Sequence, residues 1–465
     1  MKNITQLGNH AIVVGGGIAG LLTARVLSDY FSQVTIVERD RLPNPPQARR
    51  GVAQSMQPHI LFAKGYRILE GLFPNIGKEL DAAGAIPIDW ARELRYFNPK
   101  QGGWSATANS PSDIVSFTCS RPLLEGTIRQ QVSQLDNVAF LQGCRVVELL
   151  NGNDNQVRGV RLQCFEEKTA KTLAGQLVVD ASGRSSQLPD WLDQLGYPSP
   201  ASTVIRPRLG YATCRYRIPA EKEPDGKVVL IGYHPPQGTR LGYLARIEGG
   251  EWIATLGGYG GDYAPTNEEE FLAFAKSLPS SKFYDAIRSS QPTTPICAHR
   301  ATANRLYHYE KMDLPRGLVA LGDAVCALCP YYGQGMTMAA LSSLVLQSWL
   351  QQQTRKKPEN RFVSSHFQKQ LAKSNTFGWS LATQQDSQFP TTQGAIAARG
   401  LSRVLSGYTD WIAQQAHYNP KLHTYFLEIA QMIRSPIAFF HPWVLWQAMS
   451  NNQKNNSAHP KTLTN

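Results

Sequence analysis

Three groups of glycine and aspartate, far apart along the chain, have the types and spacing to hold a dinucleotide. They are Gly15, Gly17 and Gly20; Asp180 with Gly183; and Gly322-Asp323 leading to Pro330, Gly333, Gln334, Gly335 and Met336. Glycine lets backbone N–H groups come within hydrogen-bond reach of a phosphate, and a carboxylate accepts hydrogen bonds from sugar hydroxyls. Other chemistries have no comparable support. No Ser/His/Asp order or metal-ligand cluster emerges, and the isolated His59, His234 and His299 read as structural residues.

The elements that must position these groups can be read around them. Ala11, Ile12, Val13 and Val14 form a short apolar run typical of a buried parallel strand, and 18–27 carries helical apolar spacing. The first glycines therefore occupy a strand-to-helix turn. Gly15 permits the tight turn, Gly17 the approach of a pyrophosphate, and Gly20 close packing of helix on strand. A second strand at 34–37 ends on Glu38, about 20 residues beyond the glycines, where an acidic side chain reaches an adenosine ribose.

Composition sets the outer limits. The chain has 465 residues, 42% hydrophobic and 18% charged, enough for two or three structural units. Its formal charge of +12 is carried by short clusters such as Arg49-Arg50, 355–357 and the neighbourhood of Arg206 to Arg217, none interleaved with aromatics. That argues against a nucleic-acid module and for a solvated basic face with some attraction for cofactor phosphates. Seven cysteines, odd in number and scattered, suggest reduced thiols, and Cys326 and Cys329 read as small residues filling a bend. The start of the chain has no charged segment followed by an apolar one, and no run of 18 apolar residues occurs, so a cytoplasmic protein without a spanning helix is expected.

Residues 1–85, 113–200 and 300–350 are expected to build a cofactor domain, 86–112 and 201–299 a mostly antiparallel substrate sheet, 351–450 a helical region and 451–465 a disordered tail. Helices are expected at 58–69, from Arg121 and over 336–351. Residues 86–98 read as extended, and strands are expected at 138–141, 145–150, 156–164, 172–179, 227–234, 240–247 and 251–256. The aromatic stretch 432–449, interrupted by two prolines, should cap the core or line a pocket rather than lie on a membrane.

The order of Gly15-x-Gly17-x-x-Gly20, Asp180-x-x-Gly183 and Gly322-Asp323 with Pro330, Gly333 and Gly335 resembles group A flavin monooxygenases of the para-hydroxybenzoate hydroxylase fold, over 11–350. Glu38-Arg39-Asp40, 50–54, Ser120-Arg121-Pro122-Leu123-Leu124 and the segment from Trp379 to Asp386 are further similar to the flavin-dependent olefin epoxidases of polyether biosynthesis. The resemblance implies an α/β fold: a Rossmann-type FAD-binding domain, an inserted mostly antiparallel sheet and a helical C-terminal region. It implies non-covalent FAD, NADPH or NADH as co-substrate, and transfer of one atom of O2, through a flavin hydroperoxide, to a lipophilic natural-product-like molecule. Alkene epoxidation is the first reading. Aromatic hydroxylation, or isoprenoid reduction or cyclisation without oxygen insertion, is the alternative. No nucleic-acid partner and no stable membrane insertion are expected, and peripheral membrane association stays open.

Carried over by position, Gly15, Gly17, Gly20, Glu38, Arg39, Arg50, Arg121, Asp180, Gly322, Asp323, Pro330, Gly333, Gln334, Gly335 and Met336 would contact the cofactor, with Arg50, Gln54 and Pro330 nearest the reacting face. Two departures stand out. Ala181 and Ser182 separate Asp180 from Gly183, where the family often has Asp-Gly directly, and Ala53 stands where proline is common. There is no second G-x-G-x-x-G for a dedicated nicotinamide domain, and the Trp-x-Trp-x-Ile-Pro motif of flavin halogenases is missing.

Overall fold

Short apolar runs bounded by glycine and polar turns become a parallel sheet. In the computed structural model, which describes residues 6–49, 52, 54–152, 154–165, 170–396 and 401–458, its five strands lie in the order Leu318–Ala320, Leu177–Asp180, Gly8–Val14, Phe31–Glu38 and Val138–Gln142. Every neighbouring pair is parallel. Ile12, Val13, Val34, Ile36, Val178 and Val319 are fully buried, as strands covered on both faces require. The helices Ile18–Ser28 and Gly335–Gln353 pack against each other beside this sheet.

The strand order turns back at Gly8–Val14. The chain passes to Phe31–Glu38 on one side and returns through Leu177–Asp180 on the other. At such a switch point the loops leaving the carboxyl ends of the strands diverge and open a crevice. Val14, Glu38, Asp180 and Ala320 are those carboxyl ends, so groups separated by as many as 306 residues in sequence meet there.

A three-stranded antiparallel sheet of Cys144–Asn151, Val157–Cys164 and Ala170–Ala174 adjoins the parallel sheet. Cys144 and Cys164 oppose one another in its register and their sulfurs are bonded, so the expectation of wholly reduced thiols is corrected. A 20-residue spacing does not reveal which strands pair. Cys326 and Cys329, by contrast, are unbonded, buried and packed in different apolar clusters, as read from the sequence. The run expected as one strand over 172–179 breaks at Gly175, its first part joining this hairpin sheet and its second the parallel sheet.

The larger sheet has eight strands, including Leu94–Asn98, Gly210–Arg217, Val228–Ile231, Arg240–Arg246, Trp252–Gly258 and Cys297–His299. It is antiparallel except where Leu94–Asn98 runs parallel to Val228–Ile231. Gly210–Arg217 is almost entirely buried, so no apolar/polar alternation marked it. The extended stretch 86–98 is interrupted by one helical turn, Trp90–Glu93, which Asp89 starts by accepting from the Ala91 N–H. The helix expected from 58 begins only at Ala63; Pro58, His59 and Ile60 remain outside it.

The C-terminal region is helical over Ser364–Asp386, Leu401–Tyr418, Pro420–Ala430 and Pro442–Ala458. The tail expected to be disordered from 451 continues the last helix to Ala458; 459–465 lie outside the described residues. In the aromatic stretch, Phe439 and Trp443 pack inward while Ile437 and Trp446 are 75% and 61% exposed. None of its side chains borders the main cavity, so the pocket-lining role is not found. No helix among the described residues is long and apolar enough to cross a membrane.

Candidate functional site

A cavity of about 790 Å³ runs from the Gly15–Gly17 turn and Glu38, past Arg121 and Asp323, to a wall formed by the large sheet. Gly15 has φ of 100°, and Cβ atoms added there would stand 2.8 Å from the Ala181 carbonyl oxygen. A Cβ on Gly20 would stand 1.9 Å from the Gly15 carbonyl oxygen, so both glycines are fixed by backbone contacts. Gly17 and Gly335 are different. Beyond them the space is open, with only Arg121 Nη2 at 4.0 Å from the Gly17 position.

Two helix starts border this open space. The helix at Ile18 follows Gly17 and the helix at Gly335 follows Gln334, and neither has a side-chain cap. Uncapped N-termini present free N–H groups and a partial positive charge, which favours an anion or a developing negative charge. The nearby helix starting at Arg121 is instead capped by Ser120, whose hydroxyl accepts from the Leu123 N–H.

Around the glycine turn lies a buried ion network. Glu38 accepts from the Gly16 N–H at 2.7 Å and the Asp40 N–H at 2.9 Å, and pairs with Arg49 at 3.3 Å. Arg49 also meets Asp40 at 2.9 Å and Glu125 at 2.8 Å, and Glu125 meets Arg121 at 2.9 Å. Burial opposes ionisation of Glu125, yet the Arg121 and Arg49 guanidiniums outweigh it and hold the carboxyl below its ordinary range. Arg49, read from the sequence as part of a solvated basic cluster, has a side chain only 7% exposed. Nothing in its local sequence distinguished it from a surface arginine.

At the other end of the crevice Asp323 faces Arg184 at 3.6 Å. Burial raises the Asp323 carboxyl above its ordinary range against the pull of Arg184, Arg121 and Arg305. Arg184 is itself held by the carbonyls of Ala303 and Leu328. The cavity walls thus carry five arginines, Arg39, Arg49, Arg121, Arg145 and Arg184, against the carboxylates Glu38 and Asp323. That balance suits a polyanion.

Of the residues expected to contact a cofactor, Gly15, Gly17, Glu38, Arg39, Arg121, Asp323, Pro330, Gly333, Gly335 and Met336 border this one cavity, and so does Gln54. Gly20, Gly322, Gln334 and Asp180 stand behind the lining. Asp180 is fully buried and accepts from the Ser182 N–H at 3.0 Å and from the Ser182 and Ser186 hydroxyls, each at 2.5 Å. It shapes the loop that brings Ala181, Ser182 and Gly183 to the cavity. Arg50 lies outside the described residues; Arg49 and Val52 beside it line the wall.

At the far end, where the sequence led to the expectation of an apolar pocket under the antiparallel sheet, Ile60, Leu230, Leu241 and Tyr243 line the cavity, and so do His59 and His299, which were read as structural residues. The His59 Nδ1–H donates to the Gln57 carbonyl at 2.9 Å, and the Gln57 side chain is tied to the sheet through Thr213 at 2.6 Å and the Cys297 carbonyl at 3.0 Å. Burial, with the Arg121 cation second, pushes His59 down to about 3, so the ring is neutral. Burial also lowers His299.

Behind Pro330 and Tyr331 lies a second unforeseen cluster. Asp386, fully buried, accepts from Tyr332 at 2.6 Å, Tyr259 at 3.1 Å and Asn304 at 2.6 Å. It ties the last turn of Ser364–Asp386 to the Pro330–Tyr332 turn that delivers Gly333 to the cavity. Burial pushes its carboxyl up to about 6 despite those three hydrogen bonds.

No protein-family profile matches the chain. Over 350 residues it is 35% identical to protein Rv3254 of Mycobacterium tuberculosis, a match covering 73% of each chain. Solved structures share the fold at low identity. The flavin-dependent brominase Bmp2 superposes with a TM-score of 0.67 at 13% identity, covering 96% of this chain and 100% of that one. A flavoprotein/dehydrogenase from Cytophaga hutchinsonii gives 0.65 at 14% identity over 96% and 100%. The protein pqsL, a probable FAD-dependent monooxygenase from Pseudomonas aeruginosa, gives 0.58 at 16% identity over 89% and 98%. At these identities the likeness shows the fold alone, which this chain shares with those three flavoproteins.

Proposed function

This chain belongs to the family of protein Rv3254 of Mycobacterium tuberculosis, and we propose that it is an FAD- and NAD(P)H-dependent monooxygenase acting on a lipophilic small molecule. The observation that carries the reading is the single cavity that joins the glycine turn, two uncapped helix starts and an apolar sheet wall. Its features fit FAD. The open faces of Gly17 and Gly335 leave room where a side chain would intrude, and the arginine excess suits a pyrophosphate.

Glu38 would hold the adenosine ribose, Arg121 and the Ile18 helix start the phosphates, and Asp323 the ribityl hydroxyls. The Gly335 helix start would face the pyrimidine edge of the flavin ring, where its partial charge stabilises negative charge. When bound, FAD supplies hydride acceptance and activation of O2. The chain's own part would be to orient the two reactants and keep water from them, a role that suits the apolar lining of Ile60, Leu230, Leu241 and Tyr243. Alkene epoxidation is the first reading, supported by that wall, where burial holds His59 and His299 below the ordinary histidine range and makes each a weak base. Oxygen transfer to an alkene needs no protein nucleophile, whereas phenol hydroxylation benefits from a base.

The test is a denatured extract of the purified protein, then NADPH consumption in air with and without a panel of polyenes. Near-equimolar free FAD, alkene-stimulated NADPH oxidation and one labelled atom from O2 in the product are expected. Absence of FAD after reconstitution would sink the whole reading. Phenols stimulating where polyenes do not would leave a monooxygenase but remove the epoxidase.

A further inference from the structure

Apolar side chains turned outward gather on the C-terminal helices. Seven of the ten exposed large apolar residues among the described residues fall between Val404 and Met449, so they are concentrated and not scattered. Their spacing places them on shared faces. In the 3-10 turn Pro436–Phe440, Ile437 and Phe440 are three residues apart, stand one above the other and are both exposed. Phe440 stacks on Tyr408 with ring centroids 5.0 Å apart, and exposed Val404 precedes Tyr408 by one turn of Leu401–Tyr418. In the next helix Pro442, Trp446 and Met449 recur at the i, i+4, i+7 spacing of one face, all exposed, while Val444 and Ala448 bury the opposite face. The expectation that this stretch caps the core rather than meeting a membrane accounts for Phe439 and Trp443, which pack inward, and not for the outward set.

Clustered apolar surface of this kind marks a contact, and the surrounding charge says with what. Residues 401–465 carry five lysines and arginines against two acids, and 351–465 carry twelve against four, so eight of the chain's twelve net positive charges lie in this region. Of those four acids Asp386 is fully buried and Glu428 is paired with Arg434. A second copy docked on this face would set like charge against like. Residues 451–465, whose single large apolar side chain is Leu463, offer too little apolar surface to cover it. Tryptophan, phenylalanine and aliphatic side chains amid an excess of cations match an anionic lipid surface, where the aromatics settle at the headgroup boundary and the cations meet phosphate.

We propose that Val404, Ile437, Phe440, Pro442, Trp446 and Met449 form a docking face for an anionic phospholipid bilayer, on which the protein rests reversibly without crossing it. This concerns attachment and not the reaction, so it stands or falls independently of the monooxygenase reading.

The test is co-sedimentation of the purified protein with sucrose-loaded vesicles of phosphatidylglycerol and phosphatidylcholine in equal parts, and with vesicles of phosphatidylcholine alone, at low and at high salt. Binding to the anionic vesicles is expected, about tenfold weaker to the neutral ones, and weakened by salt. Ile437→Ser and Trp446→Ser, at exposed positions where substitution spares the fold, should each weaken it about tenfold, and either serves if the other fails to fold. Trp446→Phe should keep binding but lose part of the quenching of tryptophan emission by acyl-brominated lipids, which act only on contact. No sedimentation with anionic vesicles overturns the inference, as does quenching unchanged in Trp446→Phe. Binding that salt abolishes and both serine variants retain also overturns it, since that is adsorption of a basic protein by any face. A wild-type dimer that the serine variants dissociate, with no change in vesicle binding, would assign the face to a second copy instead.

Discussion

Replacing Glu125 by glutamine tests the buried ion network beneath the glycine turn. In the wild type its two oxygens accept from Arg49 Nε at 2.9 Å, Arg49 Nη2 at 2.8 Å, Arg121 Nε at 3.2 Å and Arg121 Nη2 at 2.9 Å. The amide has the same shape, but its NH2 must oppose one guanidinium, so two of these charge-assisted bonds are lost and no acid remains for Arg121. Arg49 keeps Glu38 at 3.3 Å and Asp40 at 2.9 Å, which limits the loss. Breaking a buried pair costs about 3 to 5 kcal/mol, and the remaining partners of Arg49 put this case near 3. Denaturant unfolding at neutral pH should show a lowered midpoint with an unchanged slope. Because Arg121 is left uncompensated, saturating FAD should raise the midpoint more in Glu125→Gln than in the wild type. The pH dependence follows from the lowered folded-state value of Glu125: its stabilisation is present above the ordinary carboxylate range and lost as pH falls through the folded value. The gap between wild type and variant should therefore close in acid. An unchanged midpoint at neutral pH, or a gap that widens on acidification, would refute the account of Glu125 as an ionised bridge.

Asp323→Ala should weaken FAD binding about tenfold or more, since a charge-assisted hydrogen bond contributes roughly 1.5 to 3 kcal/mol; unchanged affinity by flavin titration of a folded variant would place Asp323 outside the cofactor's reach. Gly20→Ala, which drives a Cβ to within 1.9 Å of the Gly15 carbonyl oxygen, should lose FAD retention although alanine favours helix by about 1 kcal/mol, and a variant with full flavin content would contradict the backbone contact. Asp386 has a folded-state value raised from 3.8 to about 6, so its contribution is complete below the unfolded value and lost as pH rises through about 6. That loss is on the order of 3 kcal/mol, and Asp386→Asn, which cannot ionise, should flatten stability measured across this window; an equally steep decline in the variant would assign the slope to other groups.

The strand-to-helix turns that border the crevice were legible because their signals are local. Val14 ends a buried strand, Gly15 needs a positive φ one residue later, and Gly20 needs contact with a backbone atom five residues away, so short sequence windows carry them. Glu38 and Asp323 could be placed for the same reason, each at the end of a recognisable apolar run. What the sequence left undetermined depends on long-range register. Cys144 and Cys164 become a disulfide only because Cys144–Asn151 and Val157–Cys164 pair with those residues opposite. Arg49 becomes a buried bridge only because Glu38 and Glu125, on a strand and a helix separated by the first inserted segment, close around it. His59 looked like an isolated histidine, and the Gln57 that holds its ring is itself tied to Thr213 and Cys297, more than 150 residues downstream. Asp386 likewise meets Asn304, Tyr259 and Tyr332 from three separate elements. Local propensity and glycine sterics thus determined where a dinucleotide could be held; the packing of the large sheet and the C-terminal helices against that crevice decided the polar groups on the wall of its apolar end, because hydrogen bonds between distant segments are set by tertiary distance and not by spacing along the chain.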